Sequence, residues 1–116
     1  MESTLKYDYS KFTDYDIHLF REGKHFKLWE KFGAFVLDEP AHSGVYFAVW
    51  APNAKTVHIS GTFNNWDKQQ LILKVRDDGS GIWEGVVTTA LPGDLYKFII
   101  LGANNEIYEK ADPYAR

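Results

Sequence analysis

"GVYFAVWAPNAKTVHISG", residues 44–61, is the stretch that decides the fold. Val45, Phe47 and Val49 alternate with Tyr46, Ala48 and Trp50, a period of two that a strand satisfies and a helix does not. Pro52, Asn53 and Ala54 then supply turn chemistry, and Val57 and Ile59 form the inward set of a second strand. Downstream the pattern repeats. Leu71, Leu73 and Val75 predict a third strand, closed by "DDGSG" (77–81), a hairpin signal. Trp83, Gly85 and Val87 lie on one side of a fourth, with Ile82 and Val86 on the other. Pro92, Gly93 and Asp94 turn the chain into Tyr96, Phe98 and Ile100 of a fifth. Residues 102–105 make another turn, and "EIYEK" (106–110) is a sixth strand. Short strands at this spacing predict a mainly β fold, an antiparallel β-sandwich of immunoglobulin-like kind.

Upstream the signals change. Residues 1–37 read as a helical and coil segment with a short helix, and residues 38–116 as the β-sandwich. Residues 1–12 show no periodicity and are expected to be loosely held. Thr13 and Asp16 fit a capping box for "DYDIHLFREG" (14–23), with Ile17 and Phe20 on one face and Gly23 as the stop. In "HFKLWEKFGAFV" (25–36), Leu28, Phe32 and Phe35 recur at helical spacing and predict another short helical turn. Phe20, Trp29, Phe32 and Phe35 are many large apolar groups for a thin layer beside a sandwich, so this segment is expected to form an interdomain contact.

The whole chain sets bounds on these readings. Its 116 residues suffice for one domain and one core. Apolar content of 45% and charged content of 25% are ordinary for a globular protein, whereas 16% aromatic residues is high. A net charge of −3 with scattered basic residues argues against nucleic acid and anionic membrane as partners. The absence of cysteine removes disulfides and thiolate metal sites and fits a reducing compartment. "MESTLKYDYSKF" (1–12) holds no apolar run of the kind a secretory signal or membrane span needs, so a cytoplasmic location is the expectation.

Catalysis finds little support. His18, His25, His42 and His58 are dispersed, with no HExxH or paired-histidine motif. Asp14, Asp16 and His18 stand at alternate positions, but acids opening a helix already answer its dipole. Ser43, Ser60 and Ser80 occupy no nucleophile elbow. A glycosidase needs two carboxylates about 5 to 10 Å apart across a sugar, and no spacing here singles out such a pair. No catalytic residue, metal or cofactor is predicted.

Binding is better served by "GTFNNWDKQQ" (61–70). A sugar ring has an apolar C–H face and a belt of hydroxyls, so its recognition calls for an exposed aromatic plane rimmed by amides or a cation. Trp66 stands beside Asn64, Asn65, Asp67 and Lys68. Lys97 lies between Tyr96 and Phe98, so if those two enter the core, strand alternation sends Lys97 outward. The competing reading is that Trp66 caps the sandwich rim and the asparagines merely turn the chain.

"GVYFAVWAPNAKTVHISGTFNNWD", followed by "SGIWEG", "GDLYKFII" and "KADPYA", closely resembles the family-48 carbohydrate-binding module of α-glucan enzymes. The preceding "DYDIHLFREGKHFKLWEKFGA" resembles the segment before that module in bacterial glycogen branching enzymes. The resemblance covers residues 14–116. It implies an immunoglobulin-like sandwich N-terminal to a (β/α)8 catalytic barrel of the α-amylase superfamily. The reaction of such a parent cuts an α-1,4-glucan and rejoins the piece through an α-1,6 link. The partners it implies are an α-1,4-glucan (glycogen or a maltooligosaccharide) and the catalytic barrel of the same parent chain. In glycogen-binding subunits with related modules, the tryptophan of the FNNW motif stacks on glucose and the lysine of the YKF motif binds hydroxyls. Those roles map onto Trp66 and Lys97, with Asn64 and Asn65 beside them. Such modules carry a second stacking tryptophan just after the fifth strand, where "LGANNE" here places Asn104. The barrel's catalytic Asp and Glu motifs are not among these residues, so the resemblance implies a non-catalytic accessory domain. Two alternatives are a purely structural module that docks the barrel and a stand-alone glycogen-targeting domain of a regulatory protein. The "LFREGKHFKLWEKFGA" preface argues against the second of these.

Overall fold

The computed structural model describes residues 5–7, 9–23, 32–39, 42–68, 71–91 and 93–110. Among the described residues, nine strands and one α-helix follow in chain order: β1 (Leu5–Lys6), α1 (Asp14–Arg21), β2 (Gly33–Glu39), β3 (His42–Trp50), β4 (Ala54–Gly61), β5 (Leu71–Ile72), β6 (Lys74–Val75), β7 (Ile82–Val87), β8 (Tyr96–Gly102) and β9 (Ile107–Lys110). A 3₁₀ turn, Thr62–Asn64, follows β4. All pairings are antiparallel. One sheet runs β1-β7-β3-β2 with β6 also on β7, and the other runs β5-β4-β8-β9. The two sheets form an immunoglobulin-like β-sandwich.

Strand alternation sorts the side chains as the sequence predicts. Val45, Phe47 and Val49 of β3, Trp83 and Val87 of β7, Val57 and Ile59 of β4, and Phe98 and Ile100 of β8 all enter the core between the sheets. Trp83 keeps its indole N–H satisfied there by donating to the Ala51 carbonyl at 3.0 Å. The stretch 71–75 departs from the single strand expected of it. Leu71 and Ile72 pair with β4, while Lys74 and Val75 pair with β7, so the chain changes sheets around Leu73. Leu73 remains buried, its N–H donating to the Val57 carbonyl at 2.8 Å.

The other face of β3 and β7 is apolar as well. Tyr46, Ala48, Ile82 and Val86 join Phe12, Ile17, Phe32 and Leu37 in a second core on the outside of the five-stranded sheet. The N-terminal segment builds it. Helix α1 opens with the expected capping box: the Thr13 N–H donates to Asp16 Oδ2 at 2.9 Å and the Asp16 N–H to Thr13 Oγ1 at 3.1 Å. It ends at Gly23, whose φ of 69° is left-handed and suits the residue that stops a helix.

Two expectations about this segment need correcting. Residues 1–12 were expected to be loosely held, yet Leu5 pairs with Val87 and is buried, and Phe12 is buried beneath α1. The Tyr7 hydroxyl donates to the Ile72 carbonyl at 2.5 Å, and Ser10 Oγ donates to Glu84 Oε1 at 2.6 Å. The helical turn expected over 25–36 is replaced at its described end by β2, which pairs with β3 from Gly33 opposite Ala48 to Glu39 opposite His42. Phe35 sits at a strand position there; a full partner strand overrides a short apolar spacing that suits either structure. Residues 24–31, which include Trp29 and Leu28, lie outside the described residues. The division at residue 37 therefore falls inside β2.

A polar network pins the cover to the sheet. Buried Tyr46 donates its hydroxyl to Glu84 Oε1 at 2.7 Å. Arg76 Nη1 donates to Ser10 Oγ at 2.6 Å and Glu84 Oε2 at 3.4 Å, while Nε donates to Asp78 Oδ2 at 2.8 Å. Arg21 donates to the Asp78 carbonyl at 3.0 Å, tying the last turn of α1 to the β6–β7 hairpin. Burial and the Glu84 charge push the Tyr46 phenol far above its ordinary range. Burial disfavours the charge on Asp78, but hydrogen bonds from Ser80 and Arg76 outweigh it and hold the carboxyl below its ordinary range.

Candidate functional site

The loop after β4 carries "GTFNNWD", residues 61–67. Its two aromatics go opposite ways. Phe63 packs inward, 5.6 Å from the Phe47 ring, and joins Tyr96 at the edge of the core. Trp66 is 41% exposed. The chain reaches this arrangement through two consecutive left-handed residues, Asn65 at φ 56° and Trp66 at φ 60°. Asparagine tolerates that region; a tryptophan there costs about 1–2 kcal/mol, so surrounding contacts must hold it.

Asn64 provides that hold. Its Oδ1 accepts the Gly61 N–H at 3.0 Å, and its Nδ2 donates to the carbonyls of Asp67 at 3.1 Å and Ile59 at 3.4 Å. The Trp66 N–H closes the loop on the Gly61 carbonyl at 2.9 Å. Gly61 admits no side chain: a Cβ there would lie 2.4 Å from the Leu95 carbonyl and 2.5 Å from the Phe63 ring. On the other flank, Thr62 Oγ1 donates to Asp94 Oδ1 at 2.8 Å and the Thr62 N–H to the Leu95 carbonyl at 3.0 Å.

Lys97 meets this loop from β8. Phe98 on one side of it is buried, so alternation turns Lys97 to the outer face of the four-stranded sheet. Its Nζ stands 5.7 Å from the centroid of the Trp66 ring, a cation–π pair. The Glu109 carboxylate on β9 accepts from Lys97 through Oε1 and from Lys68 through Oε2. Hydrogen bonds from these two lysines hold the Glu109 carboxyl down to about 2. His58 lies on the same face, opposite Ile72 of β5 and Ile99 of β8. Burial lowers its imidazole from the ordinary 6.5, although the nearby Asp67 charge works the other way.

The sequence-predicted residues separate on this geometry. Trp66 and Lys97 come together. Asn64 is adjacent, but its amide is committed to the loop backbone, and exposed Asn65 supplies the left-handed turn. Asn104 lies beyond the far end of β8, and the five residue steps from Lys97 to Gly102 span about 17 Å. Phe32 is buried with its ring 5.5 Å from Phe12, and half-buried Phe35 lies 6.4 Å from Tyr46. Both therefore pack on the domain's own sheet. The Phe20 side chain and Trp29 lie outside the described residues. Glu109 was missed, because only the pairing of Ile99 with Glu109 shows that it shares a face with Lys97. Among the described residues no group of three or more His, Cys, Asp or Glu could hold a metal ion, and no helix is long and apolar enough to cross a membrane.

Residues 31–115 match the family described as carbohydrate-binding module 48 (isoamylase N-terminal domain). The 1,4-alpha-glucan branching enzyme GlgB of Aromatoleum aromaticum is 48% identical over 108 residues, covering 93% of this chain and 16% of that enzyme. Its namesake in Thermosynechococcus vestitus is 48% identical over 104 residues, covering 90% and 13%. That of Aquifex aeolicus is 43% identical over 107 residues, covering 92% and 17%. The chain thus spans less than a fifth of the length of these relatives. Among solved structures, the crystal structure of apo pullulanase from Paenibacillus barengoltzii superposes with a TM-score of 0.52 at 24% identity, over 97% of this chain and 18% of that one. That likeness is one of fold.

Proposed function

This chain belongs to the carbohydrate-binding module 48 family, and on that premise we propose that it binds linear α-1,4-glucan on the outer face of the four-stranded sheet. Trp66 stacks on the apolar face of a glucose unit, and Lys97 donates to its hydroxyls. The module is non-catalytic and serves a cytoplasmic glycogen branching enzyme, whose barrel carries out the α-1,4 to α-1,6 transfer. The observation that carries the reading is Trp66 itself: a large apolar ring held exposed, on left-handed backbone, with an ammonium 5.7 Å away. A residue that only had to turn the chain needs neither the ring nor the strain.

A backbone NMR titration with maltoheptaose tests this. Amides of the 61–68 loop and of β8 should shift with added sugar. Trp66→Ala should weaken binding several-fold, the equivalent of about 1 kcal/mol or more for a lost stacking partner, while leaving the melting temperature nearly unchanged. A lid would behave oppositely, losing roughly 3–5 kcal/mol of stability on truncation. Incubated with amylose, the isolated chain should produce no new branch ends.

A second reading has its own observation. The turn after β8 offers Asn104 where a glycan module of this family has a second ring, so a single platform serves the sugar. On that reading the aromatic surface docks the catalytic barrel, and maltoheptaose leaves the spectrum unchanged.

A further inference from the structure

Glu109 belongs to none of the sugar-facing motifs, yet three elements converge on it. It stands on β9, Lys97 on β8, and Lys68 in the loop that carries Trp66. One carboxylate accepts from both lysines, one through each oxygen. Register sets Glu109 opposite Ile99, two residues along β8 from Lys97, so the two side chains leave the same face of the sheet.

We propose that Glu109 is a positioning residue for α-glucan: by engaging Lys97 and Lys68 together it fixes the ammonium beside Trp66 and presents ring and cation to the sugar as a pre-set pair. The inference rests on the platform reading given above. A lysine has a long, freely rotating stem, and ordering it on a ligand detracts from affinity. A carboxylate that has already ordered it removes that loss from the binding step. Lys97 has three N–H donors, so its bond to Glu109 leaves donors for hydroxyls. The ion pairs add little to the fold, because the side chains of Lys97 and Glu109 remain 33% and 36% exposed. Glu109 also keeps its charge throughout the neutral range, since its lysine hydrogen bonds hold the carboxyl low. The bridge to Lys68 extends the effect to the loop, linking the strand that bears the cation to the segment that bears the ring.

The test compares the unsubstituted chain, Glu109→Ala, Glu109→Gln and Trp66→Ala. Maltoheptaose affinity, melting temperature and the indole N–H signal of Trp66 in sugar-free protein are measured for each. Glu109→Ala should raise Kd about fivefold, move the free Trp66 indole signal, and leave the melting temperature within a degree or two. Glu109→Gln, whose amide oxygen still accepts from one lysine, should recover part of the affinity. If Trp66→Ala abolishes binding while Glu109→Ala binds like the unsubstituted chain, the positioning role is overturned and the platform stands. If the unsubstituted chain shows no binding, both fall. A Glu109→Ala variant that loses affinity only together with a large drop in melting temperature overturns the positioning role in favour of a structural one.

Discussion

Asn64 holds the backbone of the loop that carries Trp66. Its amide makes three hydrogen bonds to the loop backbone, and both Nδ2 donors are spent there. Asn64→Ala should destabilise the domain by about 1–3 kcal/mol, because partly buried backbone groups lose their partners. It should also weaken maltoheptaose binding by releasing the strained Trp66 backbone. Urea unfolding and the NMR titration, run on one variant, check both effects. His58 gives a pH signature. Burial lowers its folded-state pKa below the 6.5 of an unfolded chain, so protonation favours unfolding. Its contribution is fully present above 6.5 and is lost as pH falls through the lower folded value. The melting temperature should therefore decline between neutral pH and pH 5, and His58→Gln should flatten that part of the curve. The inventory at this scale was legible in "FNNW" and "YKF", since residue types alone suggest a ring, amides and a cation. Their division of labour was not, because hydrogen bonds to backbone carbonyls leave no trace in a sequence. Glu109 was hidden for a related reason: cross-strand register follows from turn geometry, not from any one strand's pattern.

Among the elements, β3 and β7 were readable because each is a short run rich in β-branched and aromatic residues bounded by turn residues, and the hairpin at 77–81 because glycine-rich turn chemistry is local. β2 was not. Its "GAFVLDE" is short and apolar, and adjacent aromatics mimic helical spacing; the decisive fact is that β3 offers an open edge, which the segment itself does not encode. The same holds for β1, two residues long and defined wholly by its pairing with β7. Ile82 and Val86, placed by alternation on the side of β7 away from Trp83, are covered by the N-terminal segment. That layer is integral to the fold. Phe12 is buried in the second core, against Phe32 and beneath the Arg76 guanidinium, which lies 5.9 Å from its ring. Phe12→Ala should cost about 3–5 kcal/mol, as truncations of buried phenylalanine do, with one cooperative transition in urea. A separate early transition, or a loss under 1 kcal/mol, would mean that the N-terminal segment is an appendage. Tyr46→Phe isolates the polar part of the same layer. It leaves Glu84 short of one donor and should cost about 1–2 kcal/mol, measured at pH 7.

At the level of the whole molecule, the two sheets have unequal freedom. The five-stranded sheet is apolar on both faces and covered on both, by the other sheet and by the N-terminal segment. The outer face of the four-stranded sheet carries, among the described residues, the polar and exposed groups Trp66, Lys97, His58 and Glu109. Maltoheptaose should accordingly perturb amides of β4, β8, β9 and the 61–68 loop and leave β2, β3 and α1 silent. Perturbations centred on α1 would relocate the sugar site. The covered sheet also sets the size of the unit that can be moved between proteins. The recurring family pattern starts at residue 31, whereas Leu5, Phe12 and Ile17 supply interior side chains from much earlier. A graft cut at residue 31 would carry a sheet with Tyr46, Ala48, Ile82 and Val86 bared along its back, and a host enzyme would inherit an adhesive patch. A graft cut ahead of Leu5 brings its own roof. For anyone shuffling glucan-binding modules among enzymes, the portable piece is longer than the motif that announces it.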